Sequence, residues 1–159
     1  MAMQQHSTEI AARAAHIVEA LRDLEGPLLP ILHELQEEFG HVPPETLPVI
    51  AEALNLSRAE VHGVVSFYHD FRREPAGRHV LKLCRAEACQ SMGADAIAAL
   101  VQRALGIGFH ETSADGAVTL EPVYCLGLCA CAPAALLDGE PRGRLDAAAV
   151  EEIAGEVRR

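Results

Sequence analysis

The sequence predicts an α/β protein in which an N-terminal helical bundle precedes a domain of alternating strands and helices. Apolar residues of the first half recur at helical spacing, whereas His79 to Leu83 alternates as a strand does. Two pairs of cysteines interrupt the second half. The Pro- and Gly-containing stretch 74–78 separates the helical pattern of the first half from the mixed strand and helix pattern of the second. We therefore predict domains at 1–74 and 75–159. Periodicity alone does not separate α/β from α+β.

Four helices are expected in the first domain, each with a recognisable start or stop. Gly40 stands where a helix ends on a left-handed residue, and Ser57 with Glu60 forms a capping-box pattern. The expected helices are residues 8–24, residues 28–39, one opening at Pro43-Pro44 and one following Ser57.

The second domain is expected to follow the order β-α-β-β-β-α. Asp115 serves a tight turn here, because Asp-Gly favours hairpins. The expected elements are a strand at 79–83, a loop from Cys84 to Cys89, a helix at 91–105, a hairpin of 110–112 with 118–120, a strand at 134–137 turned by Asp138-Gly139, and a helix capped by Asp146.

Composition narrows the class of function. Half of the 159 residues are hydrophobic and 23% are charged, which is typical of a globular chain. The net charge of −10 disfavours binding to nucleic acid. No segment approaches the ~20 apolar residues of a membrane span, and no export signal is evident. We therefore expect a cytoplasmic protein whose clustered cysteines are metal ligands and not disulfides.

The two cysteine pairs are the candidate metal site. They are Cys84 with Cys89, and Cys125 with Cys129, and Gly127 allows the second loop to turn tightly. Thiolates are soft anionic ligands, and four of them suit a tetrahedral iron or zinc centre. We expect all four to be ligands.

Three other interpretations of these cysteines are open. Zinc in a structural adaptor module with no redox role is the main competitor, although such sites favour C-x2-C pairs. A thioredoxin-like redox enzyme would need C-x-x-C, which neither pair has. The cysteines could also be small buried hydrophobes. A fifth thiol, Cys131, is expected to serve packing.

Several segments of the chain resemble one known family. The pattern C-x4-C-x35-C-x3-C is similar to the [2Fe-2S] signature of thioredoxin-like ferredoxins. The nearest resemblance is to the small peripheral [2Fe-2S] subunit of NADH dehydrogenase (complex I) and the gamma subunit of NAD-dependent formate dehydrogenases. The segments that carry the resemblance are Gly40 to Pro43, Val61 to Tyr68, Asp115-Gly116 and Cys125 to Cys129.

The resemblance implies a thioredoxin-like domain with one [2Fe-2S] cluster, Cys84 and Cys89 holding one iron and Cys125 and Cys129 the other. It implies a hetero-oligomer with a subunit that carries flavin mononucleotide (FMN) and binds NAD. No G-x-G-x-x-G motif is present, so no dinucleotide site and no catalytic residue are assigned to this chain. The helical bundle would dock the partner, with residues 62–68 as the candidate contact.

Two finer expectations follow from the same resemblance. The loop Arg85 to Gln90 resembles the formate dehydrogenase version, so formate dehydrogenase is the expected parent complex. NADH:quinone oxidoreductase and a bidirectional hydrogenase are the alternatives. Because thioredoxin-like folds often carry a cis-proline beside the site, a cis Ala132-Pro133 bond is a further possibility.

Overall fold

The computed structural model describes residues 2–159, with side chains from Ser7 onward. The chain divides into two compact units, one ending at Pro75 and the other spanning Ala76–Arg159. We call them the helical unit and the sheet unit. In the described part of the chain, no helix combines the length and apolarity needed to cross a membrane.

The helical unit consists of four helices around an aliphatic core. Helix α1 packs against α2 and α3, and α3 packs against α4. The most deeply buried side chains include Ile31, Leu32, Leu35, Ile50 and Val61. The helices are α1 (Ala2–Leu21), α2 (Leu28–Phe39), α3 (Thr46–Ala53) and α4 (Arg58–Phe67).

The helix ends follow local chemistry. Gly40 closes α2 with a φ of 73°, and the capping box of Ser57 and Glu60 is present, so both predictions are confirmed. Helix α1 begins at Ala2 and ends at Leu21, so its predicted start at residue 8 and end at residue 24 are both wrong, and Leu24 is 49% exposed and outside the core. Helix α3 begins at Thr46 and not at the prolines, because Pro43 instead accepts hydrogen bonds from the backbone N–H and hydroxyl of Thr46.

The sheet unit is built on five strands in the order β2-β3-β1-β4-β5. Strands β1 and β3 are parallel, and every other neighbouring pair is antiparallel. The strands are β1 (His79–Cys84), β2 (Glu111–Thr112), β3 (Val118–Val123), β4 (Ala135–Leu137) and β5 (Glu140–Arg142). The predicted hairpin around Asp115-Gly116 is confirmed. Strand β5 was not predicted, because it directly follows the turn at Asp138-Gly139 and is only three residues long.

Three helices complete the sheet unit: α5 (Glu87–Ser91), α6 (Ala94–Leu105) and α7 (Ala147–Val157). The predicted helix at 91–105 is wrong at its start, because Gly93 has a φ of 90° and separates α5 from α6. Asp146 caps α7 as predicted, accepting from the Ala149 N–H at 2.9 Å. Leu81, Leu83, Leu120 and neighbouring residues of α6 and α7 form the core. The predicted mixed α/β class is confirmed.

Candidate metal centre

The two cysteine loops leave the sheet at the same edge. Cys84 is the last residue of β1 and pairs in register with Val123, the last residue of β3. Because these strands are parallel, both chain segments continue past one end of the sheet, which is where open sheets commonly bind ligands. The Arg85 N–H donates to the Val123 carbonyl at 2.7 Å and holds the two exits together. Strand β4 runs the opposite way and brings residues 132–134 to the same edge.

The first pair is buried. Cys84 is 3% exposed and Cys89 is 2% exposed. The sequence analysis placed Cys89 in a loop; the structure places it in α5, so that expectation is wrong. The intervening residues are mostly Ala and Glu, which are good helix formers. The short helix turns the Cys89 side chain back toward Cys84, within hydrogen-bonding reach of its sulfur.

The second pair lies at the surface, where Cys125 and Cys129 are both exposed. Gly127 has a φ of 75°, which confirms the prediction that it makes the turn. Cys125 also has a positive φ, 114°, a conformation that side-chain-bearing residues rarely adopt. The Gly127 N–H points at the Cys125 Sγ at 3.4 Å. Strained backbone of this kind is concentrated at functional sites.

Backbone amides reach across from one loop to the other pair. The N–H groups of Leu126 and Cys125 lie within hydrogen-bonding reach of the Cys84 sulfur, as does the nearer amide of Ala86. The Ala134 N–H reaches the Cys89 sulfur in the same way. The backbone of the second loop therefore lies beside the sulfur of Cys84 in the first pair.

These contacts move the pKa values of the thiols in opposite directions. Burial acts to raise the pKa of Cys84, but the amide and thiol hydrogen bonds outweigh it and hold that pKa below its ordinary value. Burial, followed by the hydrogen bond to Cys84, raises the pKa of Cys89. The hydrogen bond and charge of Cys125 raise the pKa of Cys129.

The surroundings of the first pair are apolar. Ala94, Ala132 and Ala134 are buried against Cys84 and Cys89, with the partly buried Val123, Leu126 and Leu128 around them. The guanidinium of Arg85 forms an ion pair with Asp95 at 2.7 Å and lies 5.3 Å from the centre of the Phe109 ring. Water is therefore excluded around the buried Cys84 and Cys89, whereas Cys125 and Cys129 are exposed to solvent.

The donor set fits a two-iron cluster. Among the described residues, no three His, Cys, Asp or Glu side chains converge as ligands of a single metal ion would. The cysteines instead lie as two pairs, Cys84 and Cys89 buried on one segment and Cys125 and Cys129 exposed on the other. A [2Fe-2S] cluster takes two protein ligands on each iron, so it matches paired donors.

Sequence reasoning identified the thiols but missed the backbone around them. No sequence pattern near Ala134 predicts that its amide lies beside Cys89, and none near Cys125 predicts its positive φ. The Ala132-Pro133 peptide bond is cis, as the sequence analysis had considered possible. The short helix that carries Cys89 could have been predicted, because residues 86–88 are the helix formers Ala, Glu and Ala.

The fold and the paired thiols define a ferredoxin of the thioredoxin-like class. The family model described as thioredoxin-like [2Fe-2S] ferredoxin matches residues 14–158. The chain belongs to this family, and its cofactor is one [2Fe-2S] cluster.

Curated relatives belong to respiratory and hydrogenase complexes. One is a component of the NADH-quinone oxidoreductase of Pseudomonas aeruginosa, 36% identical over 80% of this chain and 77% of its own length. The corresponding component of a Rhizobium meliloti NADH-quinone oxidoreductase is 37% identical over 91% of this chain and 84% of its own length. The HndA component of the NADP-reducing hydrogenase from Solidesulfovibrio fructosivorans is 32% identical over 87% of this chain and 81% of its own length.

A solved structure shares the fold. The NAD+-reducing [NiFe]-hydrogenase in its air-oxidised state superposes with a TM-score of 0.70 and 27% identity. The match covers 82% of this chain but 22% of that hydrogenase chain. This chain therefore corresponds to one segment of a longer polypeptide there.

Proposed function

We propose that this chain is an electron-transfer subunit whose [2Fe-2S] cluster is held by Cys84, Cys89, Cys125 and Cys129. The observation that carries the proposal is the meeting of both cysteine loops at one edge of the sheet, where Leu126 and Leu128 of the second loop pack against the buried cluster that contains Cys84 and Cys89. Thiolates coordinate once their protons are lost, and the amide contacts at Cys84 already favour its charged form. The cluster supplies reversible one-electron chemistry, and the protein supplies ligands, hydrogen bonds and partial shielding from water.

Each pair would hold one iron. The placement of the cysteines supports this assignment, because the buried Cys84 and Cys89 share one short segment and the exposed Cys125 and Cys129 share another. The buried pair then holds the inner iron and the exposed pair the outer one. The outer edge of the site lies at the surface, where a partner can exchange electrons with it.

The partner in this proposal is a subunit that carries flavin and binds NAD. A flavin accepts two electrons from a nicotinamide and can release them singly, which suits a one-electron carrier beside it. The helical unit is the proposed docking element. Phe67 is 72% exposed at the end of α4 and lies edge-on to Tyr68, with ring centres 5.1 Å apart. Exposed aromatic pairs are frequent anchors of protein interfaces.

The parent complex is best sought among NADH:quinone oxidoreductases and NAD(P)-reducing hydrogenases. The relatives described above favour these over formate dehydrogenase, whose support remains the loop at 85–90. A cytoplasmic location is part of the proposal, because clustered cysteines that serve as metal ligands are typical of reducing compartments.

The first test is made on full-length chain purified without air. We expect a brown protein with about two irons and two sulfides per chain. Reduction with dithionite should produce the EPR signal of a single unpaired electron. A colourless protein holding one zinc ion would overturn the proposal and favour a structural adaptor. The purified parent complex is then offered NADH, hydrogen and formate in turn, which decides among the three complexes.

A further inference from the structure

Residues 129–134 contain one of the proposed ligands, Cys129, and pass beside two others, Cys84 and Cys89. The segment begins at Cys129, whose short 3-10 turn runs to Cys131. At its far end the Ala134 carbonyl accepts from the Cys84 N–H at 3.0 Å, and the Ala134 N–H reaches the Cys89 sulfur. A shift of this segment would therefore move one ligand directly and disturb the hydrogen bonds of two others.

The connection between β5 and α7 supports the back of this segment. The Arg144 N–H donates to the Cys131 carbonyl at 2.6 Å, and the Leu145 N–H donates to the Pro133 carbonyl at 3.0 Å. Leu145 is 5% exposed and belongs to the core of the sheet unit. Its burial anchors the connection, although the preceding Gly143 is itself exposed.

Gly143 makes the close approach of these two segments possible. A Cβ at this position would lie 2.7 Å from the Cβ of Cys131 and 3.1 Å from its carbonyl oxygen. Side-chain carbons do not approach that closely, so one of the two segments must move if Gly143 acquires a side chain. The φ of Gly143 is not in the left-handed region, so alanine would bring a steric effect without backbone strain.

We infer that Gly143 is a positioning residue for the cluster, acting through Cys131 on the turn that carries Cys129. The inference rests on the proposed ligand set. It assigns a cluster-related role to a glycine that is twelve residues past the last cysteine and holds no ligand atom. Supporting residues around metal ligands commonly change metal affinity by roughly 10–100-fold when they are altered.

The test uses full-length Gly143→Ala, with Gly155→Ala as a matched control. Gly155 lies in α7 of the same unit, and a Cβ there meets nothing within 4 Å. We expect Gly143→Ala to shift the EPR g values of the reduced cluster and to lose iron to a chelator roughly 10-fold faster. Gly155→Ala should match the wild type in both. A Gly143→Ala protein with the wild-type spectrum and wild-type rate of iron loss would overturn the inference.

A second variant tests the contact itself and covers the case in which Gly143→Ala does not fold. Gly143→Ala combined with Cys131→Gly removes the side chain of residue 131, and with it the Cβ that would lie 2.7 Å from the new alanine Cβ, whereas the approach to the carbonyl oxygen of residue 131 at 3.1 Å remains. We expect partial recovery of the spectrum and of iron retention relative to Gly143→Ala. No recovery would contradict the steric mechanism. If wild-type chain itself takes up no cluster, the proposed function fails instead.

Discussion

Cys131 differs from the other four cysteines in how it is used. Both of its backbone polar groups are hydrogen-bonded: its N–H donates to the Leu128 carbonyl at 2.9 Å, and its carbonyl accepts from the Arg144 N–H. Its sulfur is not among the groups that shift the pKa values of Cys84, Cys89 and Cys129. Its Cβ lies 2.7 Å from the position that a Cβ on Gly143 would take. Serine retains that Cβ and the backbone, so it changes only the sulfur.

Replacing Cys131 with serine should therefore leave the cluster in place. We expect Cys131→Ser to keep the iron and sulfide content, visible spectrum and EPR signal of the wild type. Cys125→Ser should lose most of its iron, because an alcohol is a poor substitute for a soft thiolate. Loss of iron and sulfide from Cys131→Ser to the same extent as from Cys125→Ser would mean that the proposed ligand set is wrong.

At the scale of single elements, the start of α4 depends on one reciprocal contact. The Glu60 N–H donates to the Ser57 hydroxyl at 3.2 Å, and the Glu60 carboxylate accepts from the Ser57 N–H at 2.8 Å. Removing the cap should destabilise the helix end by about 1 kcal/mol. Amide protons of α4 in Ser57→Ala should then exchange roughly fivefold faster where local opening controls exchange. Ser66→Ala, an exposed serine of the same helix, is the matched control and should not accelerate exchange at the N-terminal end.

The same capping box sets the direction of a pH effect. The hydrogen bonds from the Ser57 N–H and hydroxyl hold the pKa of Glu60 below its usual value. A carboxyl group with a lowered folded-state pKa stabilises the fold above its unfolded pKa and loses that effect as pH falls through the folded value. The difference in exchange between wild type and Ser57→Ala should accordingly shrink as the pH falls below the usual range of a glutamate. A difference that grows with acidity would contradict this assignment.

Elements with strong local signals were predicted well, and those set by long-range contacts were not. Helix α2 was predicted with its full bounds, because its stripe of Ile and Leu ends at Gly40, whose conformation stops the helix. The break between α5 and α6 was missed, since Gly93 sits in a run of helix-forming residues. The role of Gly143 had no sequence signal, because its contact is with residue 131 and depends on how β5 returns along the sheet. Cysteine spacing thus predicts the ligands, while the support around them depends on the tertiary fold.

At the scale of the whole molecule, each unit has a hydrophobic core of its own. The core of the helical unit runs from Ala14 to Phe71, and the cores of the sheet unit lie between Leu81 and Val157. All four proposed ligands and all of the amides that serve them lie in the sheet unit. A unit with its own core is able to fold alone. Cluster binding and partner docking should therefore be separable.

A fragment of residues 76–159 should bind the cluster with the EPR spectrum of the full chain. It should fail to hold the flavin-bearing partner when the two are co-expressed and purified, because the proposed docking element is absent. A fragment that keeps the partner as tightly as the full chain would move the docking surface to the sheet unit. A folded fragment that binds no cluster would show that the helical unit contributes to the site.

The matching experiment on the full chain changes one side chain. Phe67 is exposed and lies outside the buried core, so Phe67→Ala should leave folding and the cluster unchanged. We expect it to weaken partner binding by about 10-fold, the scale of an aromatic interface anchor. Leu24→Ala is the control, since Leu24 is also an exposed apolar residue of the helical unit but lies outside α4. Equal losses from both variants would indicate a general effect of apolar surface, whereas a loss confined to Phe67→Ala assigns docking to the end of α4.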